Sequence, residues 1–163
     1  MSNVQETCDA LDRHGVQYEL VEHSPVMTVD EFRLEQAYSM GTILKNLFLR
    51  DDSGKRTFMF SCHGEKRVDL KKLSEILGVK RLGFASPDRL MRYTGLTPGA
   101  VSPLGLLFDI DHHVTMVFDK ELHQLDNRIG VHPGVNSATV FLKFGELARF
   151  LEEIGANVIF IEM

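Results

Sequence analysis

The chain is 163 residues long, 44% hydrophobic and 25% charged, with a formal net charge of -5. That length supports one buried core, and the ordinary apolar content excludes a disordered or low-complexity chain. No apolar run nears the ~20 residues that span a bilayer, and the acidic balance excludes a protein that coats nucleic acid by bulk positive charge. A local basic patch remains compatible with that balance. The N-terminal stretch has no signal-peptide core, and two cysteines, Cys8 and Cys62, are too few for a disulfide framework. The expected setting is therefore a reducing cytoplasm, with no membrane and no DNA partner.

Val4, Cys8 and Leu11 share one helical face, and Gly15 can end that helix in a left-handed turn. Residues 16–21 then alternate as a strand. Thr28 and Glu31 have capping-box spacing, which predicts a helix running to about Tyr38. Residues 43–50 and 57–62 read as two strands joined by Asp51-Asp52-Ser53-Gly54, strong hairpin punctuation. Asp69 can cap a helix carrying Leu70, Leu73, Ile76 and Leu77, with Gly78 as its stop. A strand over 79–84 follows, and Ser86-Pro87 then starts a helix that ends near Gly95. The segment Thr97-Pro98-Gly99 to Ser102-Pro103 reads as a loop without regular structure. Residues 104–108 and 114–118 read as strands joined by a solvated polar turn, 109–113. A turn at His132-Pro133-Gly134, a strand over 138–142, a helix over 145–154 and a buried strand over 158–161 complete the chain. Hairpins mixed with helical crossovers predict a single α+β domain over residues 1–163, with a mixed sheet and packed helices.

Several motifs are absent. There is neither a Gly-x-Gly-x-x-Gly nor a Walker-type loop, so nucleotide-binding folds have no support. No Cys-x-x-Cys pair exists. His112 and His113, beside Asp109 and Asp111, are good ligand types, but adjacent strand residues point to opposite faces, so no metal site is expected there. No other cofactor is implied. Cys62 beside His63 resembles a nucleophile and base only in composition, and both cysteines fall on apolar faces where packing is their usual role.

Three segments place polar groups where a core has no need of them. In the first, Lys45 and Asn46 interrupt the apolar run Thr42 to Arg50, and alternation sets them on opposite faces. Lysine can hold a phosphate and asparagine can both donate and accept. Equally, Lys45 could snorkel from an edge strand and Asn46 cap a bulge. The second, Gly95 to Pro103, combines glycines that permit close backbone approach with prolines that stiffen the loop. It could orient a substrate or water, or serve as a plain connector. The third, Val131 to Thr139, holds His132 extended before Pro133, where an imidazole could contact an oxyanion or move a proton. A lone histidine is more often structural.

In this order and spacing the segments resemble the YbaK/prolyl-tRNA-synthetase-associated editing domain family. Similar too are Glu22 to Glu31, with His23-Ser24-Pro25 and Thr28-Val29-Asp30-Glu31, then Lys45-Asn46-Leu47-Phe48-Leu49, Val68 to Leu73, and the Gly95–Gly99 loop. Within the family the chain most resembles free-standing alanyl-tRNA(Pro) deacylases rather than the cysteine-specific branch. One position departs: Gly134 stands where the family usually has a large apolar residue, while His132, Pro133 and Asn136 remain.

The resemblance implies a mostly antiparallel, partly barrel-like sheet, and hydrolysis of the ester joining alanine to tRNA(Pro), with no metal and no covalent nucleophile. It implies that Lys45 holds a phosphate or sugar oxygen near the terminal adenosine and that Asn46 orients the ester. Backbone of Gly95, Pro98 and Gly99 would position the ester and water, and His132 would contact the aminoacyl end. Thr28, Ala100 and Asn136 complete the implied substrate-binding set. The substrate's own ribose hydroxyl is favoured over His132 for moving the proton. The implied partner is the acceptor end of tRNA(Pro), with transient contact to prolyl-tRNA synthetase, the protein acting as monomer or homodimer. Lys66, Arg67, Lys71, Lys72, Lys80 and Arg81 could meet tRNA phosphates or form a solvated helix face. Rival readings are a deacylase for cysteine- or serine-charged tRNA, a non-catalytic tRNA-binding module, and, more distantly, a small-molecule binding protein.

Overall fold

The computed structural model describes residues 4–25 and 40–163. Thr28 and the helix expected up to Tyr38 lie outside the described residues. Helix α1 (Val4–Arg13) buries Cys8, Ala10 and Leu11, and Gly15 turns the chain at φ +66°. Strand β1 (Tyr18–Glu22) precedes a hairpin of β2 (Thr42–Asp51) and β3 (Thr57–His63). The hairpin closes because Asp51 accepts from the Ser53 hydroxyl and the Arg56 amide.

Helix α2 (Leu70–Leu77) starts where Asp69 accepts from the amides of Lys71 and Lys72, and it stops at Gly78, φ +71°. After β4 (Leu82–Phe84), helix α3 (Pro87–Thr94) begins with Ser86 accepting from the Arg89 amide. Strands β5 (Val114–Asp119), β6 (Ile129–Val131) and β7 (Ala138–Leu142) lead to helix α4 (Phe144–Glu153) and strand β8 (Asn157–Ile161). Among the described residues no helix is long and apolar enough to cross a membrane.

The strands form one eight-stranded sheet in the order β1-β7-β6-β2-β3-β5-β8, with β4 paired to β2. Ladders β1/β7, β6/β7, β2/β3 and β2/β4 are antiparallel, whereas β2/β6, β3/β5 and β5/β8 are parallel. The sheet is strongly curved. Val131 and Val140 from one arm bury into the same cluster as Met59, Met116 and Phe118 from the other, beneath Leu11 of α1 and Leu147 of α4. On the opposite face Leu49, Phe58, Phe60 and Cys62 pack against Leu73 of α2. This is the α+β, partly barrel-like arrangement that the sequence predicts.

Some expectations fail locally. Residues 104–108 are no strand: Pro103–Phe108 is a 3-10 helix, opened by a proline at its first turn and by Ser102 accepting from the Leu104 amide. Leu104 and Leu106 are buried and Leu107 is half-buried, so the run shows no clear period that separates helix from strand. Pro98–Ala100 is likewise a short 3-10 turn rather than irregular loop. The polar turn is not wholly solvated, since Asp109 is buried and accepts from the amides of His113 and Val114. The closing strand is not buried throughout either. It forms a sheet edge and exposes alternate residues.

Strand β6 escapes the sequence reading because it is three residues long with Gly130 at its centre. There a β-carbon would lie 2.7 Å from Ile43 Cδ1 and 2.9 Å from Phe141 Cε1, so any larger residue would have to push these buried side chains aside.

Candidate functional site

Strand β2 changes neighbours along its length. It pairs with β6 at Thr42 and Ile43, and with β4 at Leu49 to Asp51. Between these stretches, residues 44–47 keep only β3 as a ladder partner among the described residues. Lys45 and Asn46 sit in this slot, on an interior strand, which removes the edge-strand alternative for Lys45.

The pleat sends the two side chains apart, as alternation requires. Asn46 faces the α1/α4 core. Its Oδ1 accepts from Ser61 Oγ at 2.5 Å, and its Nδ2 donates to the Val101 carbonyl at 3.3 Å. Lys45 lies on the α2 face, opposite Cys62, and its Nζ donates to the Lys66 carbonyl at 2.5 Å.

His132 belongs to the Lys45 face. Ile43 pairs with Gly130, so two residues further along these parallel strands alternation sets Lys45 and His132 on the same side, just where the strands part. Thr139 and His23 share that side. The His23 and His132 rings are 6.2 Å apart, and His23 Nε2 lies 2.8 Å from Thr139 Oγ1.

His132 Nδ1 lies 2.8 Å from the Ala138 carbonyl, an acceptor only, so that nitrogen carries the proton. In the neutral ring Nε2 is then a lone-pair acceptor. Burial pushes the His132 pKa below the usual histidine value, outweighing the Ala138 carbonyl, and nearby His23 adds to the depression. The unfolded chain therefore binds the proton more readily. Stability should be full above the unfolded value near 6.5 and fall as pH drops from there to the folded pKa. Melting curves from pH 7.5 to 5 should show this acid-side loss, and His132→Gln should reduce it.

The Gly95–Gly99 loop splits by role. Gly95 donates its amide to Met91 and, at φ +70°, ends α3. Ala100 is buried and donates its amide to the Thr97 carbonyl. Neither the Gly99 amide nor the Thr97 amide donates to a described residue, so both are donors this loop can offer. Pro98 is exposed and removes one competing donor between them.

Gly134 adopts φ +104°, a region that disfavours a β-carbon, so the departure at this position comes with a turn built for glycine. Asn136 is half-buried on the connection from that turn into β7.

The structure thus gathers Lys45 and His132 on one face, and Asn46 with the loop on the other, around a common slot. Sequence reasoning missed Ser61, the buried partner of Asn46, whose signal is only its place on β3 opposite that residue. Cys62 is buried and its thiol is pushed up to about 11 by burial, with Lys45 pulling the other way, so it is no thiolate at neutral pH. Among the described residues no group of three or more His, Cys, Asp or Glu side chains could hold a metal.

Comparison with known proteins bears on the same slot. Residues 23–150 match the aminoacyl-tRNA editing domain. The chain is 39% identical over 163 residues to the prolyl-tRNA editing protein ProX of Acetoanaerobium sticklandii, covering all of this chain and 99% of that protein. It is 35% identical over 150 residues to the prolyl-tRNA synthetase associated domain-containing protein 1 of Danio rerio, covering 91% of this chain and 81% of that protein. In fold it is similar to the crystal structure of a candidate trans-editing enzyme for prolyl-tRNA synthetase, with TM-score 0.72, 24% identity, and coverage of 100% of this chain and 99% of that one. The matched stretch runs through Lys45, Asn46, the Gly95–Gly99 loop and His132, and by it the chain belongs to the aminoacyl-tRNA editing domain family.

Proposed function

We propose that this protein is a trans-editing deacylase that hydrolyses the ester of alanine wrongly joined to tRNA(Pro), clearing an error made by prolyl-tRNA synthetase. The observation that carries this reading is the slot along residues 44–47 of β2, with Lys45 on one side and, on the other, Asn46 bonded to the Val101 carbonyl just past the Gly95–Gly99 loop. It agrees with the near full-length similarity to a prolyl-tRNA editing protein.

In this reading Lys45 holds a phosphate or sugar oxygen of the terminal adenosine as a point charge. The Gly99 amide and the second Nδ2 hydrogen of Asn46 face the ester carbonyl and favour the charge that builds there as water adds. His132, with its proton on Nδ1, contacts the aminoacyl end and helps fix the ester. Water adds to the carbonyl carbon, the carbon–oxygen bond to the ribose breaks, and the departing ribose oxygen takes a proton, leaving free alanine and tRNA. The neighbouring ribose hydroxyl relays that proton. An ester is activated enough that positioning and electrostatics suffice.

Selectivity follows from size. A synthetase pocket built for proline rejects a smaller residue by only ~1–3 kcal/mol per missing methylene, so a second pocket too small for the pyrrolidine ring must clear the error. In this reading the backbone of the Gly95–Gly99 loop walls that second pocket.

Release of amino acid from tRNA(Pro) charged with alanine, cysteine or serine tests the substrate. Loss of alanine far ahead of the other two is expected. Faster loss of cysteine or serine would move the protein to another branch of the family. Tight tRNA binding without release would make it a non-catalytic module.

A further inference from the structure

Beyond the slot, one aromatic side chain is out of place for a folded core. Phe84, the last residue of β4, is 63% exposed. It pairs with Leu49 of β2, and two residues before it Leu82 is buried in the α2-side cluster. Alternation therefore puts Phe84 on the α2 face, which is also the Lys45 face.

Four residues of β2 separate Lys45 from Leu49, about 13 Å at strand rise, and Phe84 lies one strand spacing to the side. Cations outnumber acids there: Lys71 and Lys72 are exposed on α2 with Glu75, and Lys80 and Arg81 are exposed immediately before β4. Lys66, by contrast, is spent on ion pairs with Asp119 and Glu121. An exposed ring with exposed cations on the neighbouring segments is the surface that receives unpaired nucleotides: bases stack on the ring and phosphates meet the cations.

Resting on the deacylase reading above, we infer that Phe84 is a stacking platform for the unpaired cytosines that precede the terminal adenosine of the tRNA. The span fits. With the terminal nucleotide held at Lys45, the two preceding nucleotides reach the ~13 Å to Phe84. Charge complementarity and continuity with the slot select single-stranded RNA over an apolar protein partner. Phe84 is then a positioning residue. It fixes where the acceptor end enters and touches no reacting atom.

The test measures binding of a fluorescent acceptor minihelix of tRNA(Pro) ending in CCA, and release of alanine from its charged form. Phe84→Ala should weaken binding by about tenfold, within the range seen for loss of one base–aromatic stack. Phe84→Tyr should bind as the wild type. Abasic sites at the two cytosines should weaken wild-type binding similarly and leave Phe84→Ala no worse. Turnover should show a raised KM with kcat within about twofold. Phe84→Ala binding as tightly as wild type, or losing as much again on the abasic RNA, would overturn the inference. Phe84-dependent binding with no alanine release would sink the deacylase reading and leave the platform standing. Alanine release indifferent to Phe84 would do the reverse.

Discussion

Lys45→Ala should lower kcat/KM for alanyl-tRNA(Pro) by roughly 100- to 1000-fold, the scale found when one preorganised polar contact to a reacting substrate is removed. The side chain lies beside the slot and its described hydrogen bond goes to one backbone carbonyl, that of Lys66. The variant should therefore stay folded, with a melting temperature within a few degrees of the wild type. Lys45→Arg should recover little, because a planar fork does not reproduce a compact ammonium on the same stem. Cys62→Ser should keep the rate within about threefold, since a thiol pushed up to about 11 and buried in the α2-side cluster takes no part in the chemistry. Single-turnover deacylation at fixed pH, with thermal melts of each variant, checks all of these. A crippled Cys62→Ser beside an active Lys45→Ala would require a covalent mechanism.

Asn46→Ala should cost both activity and stability, and for one reason. Asn46 joins Ser61, fully buried on β3, to the Val101 carbonyl, and so ties the sheet to the end of the Gly95–Ala100 segment. Truncation leaves a buried hydroxyl without its acceptor and a carbonyl without its donor, at a cost of about 1–3 kcal/mol. For a domain of this size that lowers the melting temperature by roughly 3–10 °C. The loop then drifts, and a displacement of about 1 Å suffices to lose ~100-fold in rate. Asn46→Asp separates the two bonds. It still accepts from Ser61, but it sets a carboxylate oxygen against the Val101 carbonyl and should lose most of the activity. Kinetics and melts on both variants test this, and an Asn46→Asp variant with wild-type rates would contradict the tie.

Much of this arrangement can be read from the chain. Asp69 and Gly78, Ser86 and Gly95, and Asp51 to Gly54 mark their elements because capping and tight turns are local chemistry, satisfied by the neighbouring backbone. Alternation alone sets Lys45 and Asn46 on opposite faces. The 3-10 helix at Pro103–Phe108 is less legible, because a short apolar run with no fully exposed position shows no period in the sequence. Strand β6 is hidden by its shortness, and its pairing depends on the close fit of Gly130 against Ile43 and Phe141, a tertiary fact.

At the site, the residue types and their order are visible in the sequence, but their division is not. That Gly95 spends its amide capping α3 while Gly99 keeps its own depends on how the loop folds back onto Asn46. Likewise, the Ala138 carbonyl, brought to His132 by the fold, fixes which nitrogen carries the proton.

The most direct test of the account is single-turnover hydrolysis of alanyl-tRNA(Pro) against prolyl-tRNA(Pro) by the wild type and by Lys45→Ala. Rapid loss of alanine, sparing of proline, and abolition of the alanine rate by Lys45→Ala are predicted. Equal hydrolysis of both esters would contradict the size sieve, and undiminished hydrolysis by Lys45→Ala would contradict the slot as the place of reaction.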